Sequence, residues 1–142
     1  MKTTAGLLII LTVLFAAHSA NAQSTLALQE KCSEGAKRLE TEKMNQPYPY
    51  GAANPCLSFQ NHYNGRLDRC FLRVGYIFGP QEGEHGQTHM MYGDSLFDVF
   101  EDSKPVGELV YTIYRTLRCY VKDTQCKSRD EFEALVRPYM EQ

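Results

Sequence analysis

Five cysteines are the first residues of this chain whose types and spacing could do chemistry. They are Cys32, Cys56, Cys70, Cys119 and Cys126. None of their spacings is C-x-x-C, which argues against a thioredoxin-like redox pair and against a zinc ribbon. Because the count is odd, at most two bridges can form within the chain. We therefore expect structural disulfides and one remaining thiol.

A short stretch rich in histidine and methionine is the second candidate for chemistry. It offers four donors, His85, His89, Met90 and Met91. Imidazole and thioether ligands together suit copper, and imidazole also suits zinc. The neighbouring glycines favour a loop, in which no ligand geometry is fixed in advance. Two interpretations stay open: a copper or zinc site, and a solvated linker whose methionines enter the core and which holds no cofactor.

Catalytic arrangements have weaker support. Cys56 and His62 could form a thiolate–imidazole pair, but no helix start or glycine-rich nest accompanies Cys56 to activate it. Carboxylates close in sequence, such as Asp94 and Asp98, could serve a small hydrolase, but turns and strand ends ordinarily hold solvated acids. We therefore assign no catalytic residue, and a hydrolase is the third alternative.

The N-terminus predicts export. Lys2 precedes an apolar run from Leu7 to Ala17, and Ala20-Asn21-Ala22 fits the small-residue pattern of a signal peptidase site. We expect a signal peptide over 1–22 and a single domain over 23–142, located in a periplasm or secreted. An oxidising compartment would allow the cysteines to pair.

Composition excludes two classes of partner. The net charge is -2 and the two signs are mixed along the chain, whereas a nucleic-acid-binding domain would show a basic patch. No apolar stretch of about 20 residues follows the leader, so we predict no membrane span. A protein or an envelope component is the expected partner, because nine tyrosines, including a Pro-Tyr-Pro-Tyr segment at 47–50, favour an interaction surface.

The periodicity of the mature part predicts an α+β domain. Residues 24–44 have the helical spacing, with Leu28, Cys32, Ala36 and Leu39 on one side. Alternating residues then predict about five antiparallel strands, at 58–63, 66–78, 96–100, 108–114 and 117–122. Asn64-Gly65 predicts a tight hairpin, and 79–93 a polar loop. A capping box at Ser128 and Glu131 begins a final helix. We expect both helices on one face of a meandering sheet.

These elements suggest which cysteines pair. Cys119 and Cys126 flank a turn at 121–124 and would lie opposite each other in a hairpin. Cys32 is on the apolar side of the first helix and Cys70 on a regular strand face, so a helix-to-sheet bridge joins them. Cys56 is then the free thiol, available for a covalent dimer with another chain.

Two segments also carry a resemblance. Residues 61–72 and 126–132 resemble small exported bacterial proteins of unassigned function, with a Tyr-Asn-x-x-Leu-x-x-Cys-Phe hairpin and a Ser-x-x-Glu-Phe C-terminal helix. The resemblance implies a bacterial, exported domain and no particular activity. Because the sequence lacks the convergent polar groups of an active site, we expect a disulfide-stabilised α+β domain that acts by binding a ligand the sequence does not identify.

Overall fold

The computed structural model describes residues 26–46, 56–82, 88–101 and 104–141. By its contacts the chain divides into two compact units, Met1–Lys31 and Cys32–Gln142. In the first unit the described residues, 26–31, are helical. The predicted signal peptide over 1–22 and the Pro-Tyr-Pro-Tyr segment at 47–50 lie outside the described residues.

Two helices and six strands make up the described chain. The helix α1 covers 26–45. The strands are β1 (Cys56–Asn64), β2 (Arg69–Glu82), β3 (Thr88–Asp98), β4 (Gly107–Thr112), β5 (Thr116–Val121) and β6 (Thr124–Gln125), and α2 (Arg129–Met140) follows. All six strands form one antiparallel sheet in the order β1-β2-β3-β4-β5-β6. The α+β class and the meander are confirmed, with β6 as a strand beyond the expected five.

The predicted loop over 79–93 is wrong for most of its length. β2 continues to Glu82, and β3 begins at Thr88 and pairs with both β2 and β4. The reason is packing: Phe78, Met91 and Val110 form a small buried cluster across the three strands. Glycine and polar residues in this stretch conceal the two-residue alternation that the cluster requires.

The two helices pack on opposite faces of the sheet, and not on one face as expected. Cys32, Ala36 and Leu39 of α1 pack with Leu72 and other residues in one core cluster. Phe132 and Val136 of α2 pack in a second cluster that includes Phe71, Leu96 and Leu109. Since neighbours along a strand point to opposite faces, Leu72 belongs to what we term the α1 face and Phe71 to the α2 face.

Two disulfides fasten this arrangement. Cys32 of α1 is bonded to Cys70 of β2, with Cα atoms 5.3 Å apart. Cys119 is bonded to Cys126 across the β5–β6 hairpin, with Cα atoms 4.9 Å apart. They join the same pairs that the helix and strand faces predict. The fifth cysteine, Cys56, begins β1, and its side chain lies outside the described part of the chain.

The turn between β1 and β2 differs from the two-residue hairpin that Asn64-Gly65 predicts. Asn64 pairs with Arg69, so four residues, 65–68, make the turn, and Asp68 takes a positive φ of 50°. The side chain of Asn64 explains the difference. Its Oδ1 accepts the Leu67 N–H at 3.0 Å, and its Nδ2 lies 2.9 Å from the Pro138 carbonyl oxygen of α2. Asn64 is therefore a strand residue that ties the turn to the end of a helix.

The start of α2 follows the capping box that the sequence predicts. Ser128 Oγ accepts the Glu131 N–H at 3.2 Å. The Glu131 carboxylate accepts the Lys127 N–H at 2.8 Å, one residue before the cap. Neither α2 nor any other helix within the described ranges is both long and apolar enough to cross a bilayer.

Candidate binding site

The α2 face of the sheet is only partly covered by α2. The helix packs on the end of the sheet that carries Phe71, Leu96 and Leu109, and its last turn reaches Asn64. Further along the strands, Ile77 pairs with Tyr92 and Tyr92 pairs with Tyr111, so the three side chains share one row of this face. Ile77 is 41% exposed, although it lies in the interior of β2. Tyr111 packs against the cluster that includes α2, whereas Ile77 at the other end of the row is exposed.

A small groove lies along this row, and we term it the tyrosine groove. The Tyr92 and Tyr111 rings stack with centroids 5.3 Å apart and planes at 22°. The groove has a volume of ≈ 190 Å³. It is lined by Leu57, Ser58, Gly75, Tyr76, Ile77, Tyr92, Gly93 and Tyr111. All eight lining residues are uncharged, so the groove suits a neutral group.

Gly75 keeps the floor of the groove open. A Cβ at this position would lie 2.6 Å from Ser58 Oγ, so the hydroxyl occupies the space where another residue would carry a side chain. The Ser58 hydroxyl is 3.5 Å from the Gly75 carbonyl oxygen, a long and weak contact. A polar hydroxyl therefore lies beside two aromatic rings and can hydrogen-bond to a group that enters.

An ion cluster separates the groove from the part that α2 covers. Arg73 Nε lies 2.9 Å from both carboxylate oxygens of Asp94, and Arg73 Nη1 lies 2.9 Å from Glu133 Oε2 of α2. These bonds hold the pKa of Glu133 below its ordinary value, whereas burial raises the pKa of Asp94. With the guanidinium shared by two carboxylates, the cluster is saturated and fixes α2 at the border of the groove.

The end of the β4–β5 hairpin adds exposed apolar surface near the groove. Ile113 and Tyr114 are 69% and 68% exposed. The Tyr114 ring contacts the His89 ring edge-on, with centroids 4.7 Å apart. A bulge in the β4–β5 pairing between Val110 and Tyr111 lies just before this hairpin. Tyr114 is an exposed tyrosine outside the lining of the groove, which makes it a useful control.

The predicted metal ligands are not all brought together. His85 lies outside the described residues. His89, Met90 and Met91 are consecutive in β3, so Met90 and Met91 point to opposite faces of the sheet. Met91 is 3% exposed and belongs to the core cluster with Phe78 and Val110, whereas Met90 is 39% exposed. In the described ranges, no group of three or more His, Cys, Asp or Glu residues could hold a metal ion.

The structure also separates the residues of the catalytic alternatives. Cys56 and His62 are six residues apart on the extended strand β1, which places their Cα atoms about 20 Å apart. This distance rules out a direct thiolate–imidazole pair. Asp94 is bound by Arg73, and Asp98 lies 3.1 Å from Arg69 while its other oxygen accepts the Phe100 N–H. Both carboxylates therefore have structural partners.

A larger depression of ≈ 730 Å³ lies near the β5–β6 turn. Its lining includes two acids, Glu101 and Asp123, and two lysines, Lys104 and Lys122. Because the two signs are equal in number and line an open surface, the depression selects neither an anion nor a cation. The smaller tyrosine groove, with its stacked rings, is the more specific site.

Sequence reasoning favoured tyrosines for an interaction surface and placed Tyr111 on a strand, but it did not bring Tyr111 together with Tyr92. It pointed to the segment at 47–50, which lies outside the described residues. The signal for Tyr92 was the alternation of β3, which the predicted loop over 79–93 concealed. A strand prediction through this stretch would have placed both tyrosines on the same face.

Comparison with known proteins gave no match to a protein-family model, a curated protein or a solved structure. The resemblance to small exported bacterial proteins thus stays a prediction, and the interpretation of the site depends on the chain's own residues.

Proposed function

We propose that this protein is an exported, non-catalytic binding domain whose tyrosine groove accepts one neutral, apolar or aromatic side chain of a protein partner. The observation that carries the proposal is the stacked Tyr92–Tyr111 pair, which lines a groove on the α2 face beside the exposed Ile77. Aromatic side chains combine a large apolar area with a polar group, and tyrosine is enriched at protein interfaces for this reason.

The size of the groove favours a protein partner over a free small molecule. Pockets for small ligands usually measure about 300–1,000 Å³. The groove, at ≈ 190 Å³, is smaller and suits a single side chain. Binding between proteins often concentrates in such pockets, where one anchor residue is desolvated and surrounded by weaker contacts. Ile113, at the nearby hairpin, would supply part of that surrounding surface.

Export supports the same function. Two disulfides indicate that the chain matures in an oxidising, extracytoplasmic environment. The apolar run and the Ala20-Asn21-Ala22 site support a periplasmic or secreted location. The intact mass of protein exported by a bacterial host should correspond to a chain that starts at Gln23. A full-length product in the membrane fraction would contradict the signal peptide.

The groove can be tested with a probe that resembles one side chain. We expect N-acetyl-tyrosinamide to shift the amide NMR signals of Ser58, Gly75 and Ile77, with a dissociation constant in the millimolar range, or about 4 kcal/mol. Tyr111→Ala should abolish these shifts, because it removes half of the stacked pair. Tyr114→Ala removes a tyrosine that is more exposed and lies outside the groove, and it should leave these shifts intact.

Two results would reject the proposal. One is an absence of shifts at the groove up to about 50 mM probe, well above millimolar affinity. The other is an equal loss of binding in Tyr111→Ala and Tyr114→Ala, which would indicate general contact with exposed tyrosines. Methyl glucoside serves as a second probe: stronger shifts with the sugar than with the tyrosine derivative would favour an envelope carbohydrate instead of a protein partner.

A further inference from the structure

Within the described part of the chain, strand β1 forms one edge of the sheet and carries none of the residues that usually protect an edge. Among the described residues it pairs only with β2. It is nine residues long and contains no Lys, Arg, Asp, Glu or Pro, the residues that block edge-to-edge pairing when they lie on an edge strand. The opposite edge is protected by its length, because β6 has only two residues. The two edges of this sheet are therefore built differently.

The order of residues in β1 is complementary to itself. In an antiparallel pair of two β1 strands related by a twofold axis at Gln60, all nine residues of each strand find an opposite residue. Leu57 then lies opposite the partner's Tyr63 on the α1 face, where both side chains are only half-buried in one chain. On the α2 face, Ser58 lies opposite the partner's His62, and Gln60 opposite the partner's Gln60. Phe59 lies opposite the partner's Asn61, whereas the Leu57–Tyr63, Ser58–His62 and Gln60–Gln60 pairs each match apolar with aromatic or polar with polar.

We propose that a second copy of this chain pairs with β1, so that two six-stranded sheets join into one twelve-stranded sheet across the Gln60 axis. The absence of charge on β1 favours this occupant, since pairing the strand with itself opposes no like charges. Moving the axis to Phe59 would leave Tyr63 and Asn64 of both strands without an opposite residue in β1. The pairing does not depend on the tyrosine groove.

This dimer is non-covalent and does not use Cys56. In the Gln60 register, Cys56 lies opposite the partner's Asn64, and the two Cys56 Cα atoms are about 26 Å apart along the strands. A disulfide needs Cα atoms within about 7 Å. A covalent dimer through Cys56 and the paired sheet are therefore separate states, and Cys56→Ser removes the first without affecting the second.

Sedimentation equilibrium of the mature Cys56→Ser protein, from about 5 µM to 1 mM, tests the proposal. We expect a dimer, and a dissociation constant raised at least fivefold by Gln60→Lys and by Gln60→Glu, since each places like charges opposite each other at the axis. Gln125→Lys makes the same chemical change on the opposite edge and should leave the constant unchanged. An equimolar mixture of the Gln60→Lys and Gln60→Glu chains should regain the affinity of the parent, because opposite charges then meet.

Amide exchange gives a readout that needs no variant to fold. Exchange at 57–63 should slow as the concentration of the parent rises, while exchange in β6 should not. A parent that stays monomeric at 1 mM would overturn the proposal, as would equal effects of Gln60→Lys and Gln125→Lys or a mixture that regains no affinity. Failure of the tyrosine groove would instead appear in the probe titration, with the oligomeric state unchanged.

Discussion

Replacing Asn64 is the sharpest test of how the fold is stabilised, because its one buried side-chain amide hydrogen-bonds to both the β1–β2 turn and the end of α2. The side chain is 0% exposed. Its Nδ2 lies within 2.9, 3.2 and 3.3 Å of the carbonyl oxygens of Pro138, Tyr139 and Glu141. The last carbonyls of a helix have no partners within the helix, so Asn64 supplies donors that the end of α2 lacks. Its Oδ1 also accepts the Leu67 N–H.

The expected loss follows from the number of hydrogen bonds. An amide has two N–H donors, so at most two of the three close carbonyls are bonded well at once, and Oδ1 adds a third bond. At about 1 kcal/mol per bond, Asn64→Ala should lower the free energy of unfolding by about 3 kcal/mol. With a urea slope of about 1.5 kcal/mol per molar, the unfolding midpoint should fall by about 2 M.

Asn64→Asp separates hydrogen bonding from shape. The carboxylate keeps the size of the amide and can still accept the Leu67 N–H, but it presents negative oxygens to the carbonyls at the C-terminal end of α2. We expect it to destabilise the protein at neutral pH at least as much as Asn64→Ala. Asn61→Ala is the matched control: the same residue type, in the same strand, exposed, with an expected effect within about 0.5 kcal/mol.

Urea unfolding of the three variants, followed by circular dichroism, would measure these differences. A loss below about 1 kcal/mol for Asn64→Ala, or a milder effect for Asn64→Asp than for Asn64→Ala, would refute the idea that donation to α2 matters. Equal losses of stability in Asn61→Ala and Asn64→Ala would instead indicate that β1 is destabilised by substitution at either position.

Three further predictions concern the helices and the bridges. Gly35→Ala should destabilise the protein by about 1–3 kcal/mol, although alanine normally favours a helix, because the new Cβ would lie 2.5 Å from Val99 Cγ1. In thermal unfolding Gly79→Ala is the control, because its new Cβ would have no atom within 4 Å apart from its chain neighbours. Replacing the two cysteines of the Cys32–Cys70 bridge by serine should lower the free energy of unfolding by about 4 kcal/mol, because the bridge closes a separation of 38 residues. The same change at Cys119–Cys126, with a separation of 7, should lower it by about 2.4 kcal/mol. An equal loss in the two variants would contradict the loop-length account. Arg73 holds the pKa of Glu133 below its ordinary value of 4.5, so the ionised carboxylate stabilises the fold above pH 4.5, and this contribution is lost as the pH falls through the lowered pKa. Glu133→Gln should therefore lower the free energy of unfolding at pH 7 and make that free energy decline less below pH 4.5. An unchanged dependence of stability on acid pH would contradict the ion cluster.

Several features could be predicted because they depend on residues close in sequence or on the period of a single element. The Cys119–Cys126 bridge needs only a hairpin that places both residues opposite each other, and the hydrogen bond Cys126 N–H to Cys119 O at 3.0 Å continues that pairing. The Ser128 cap depends on the Glu131 N–H three residues away. The side of the sheet on which Cys70 lies follows from the two-residue alternation of side chains along β2. For these features, local geometry leaves few alternatives.

The sequence by itself thus determined the α+β class, the antiparallel meander, the cap of α2 and a plausible set of cysteine pairs. Only the tertiary structure decided that α1 and α2 lie on opposite faces of the sheet, since an apolar helix side indicates that it is buried but not against which face. It also decided the role of Asn64, whose partners lie 74 to 77 residues away, and the formation of the tyrosine groove. The groove forms where β2, β3 and β4 bring Ile77, Tyr92 and Tyr111 into one row, and this depends on pairing between residues far apart in sequence, which no local pattern records.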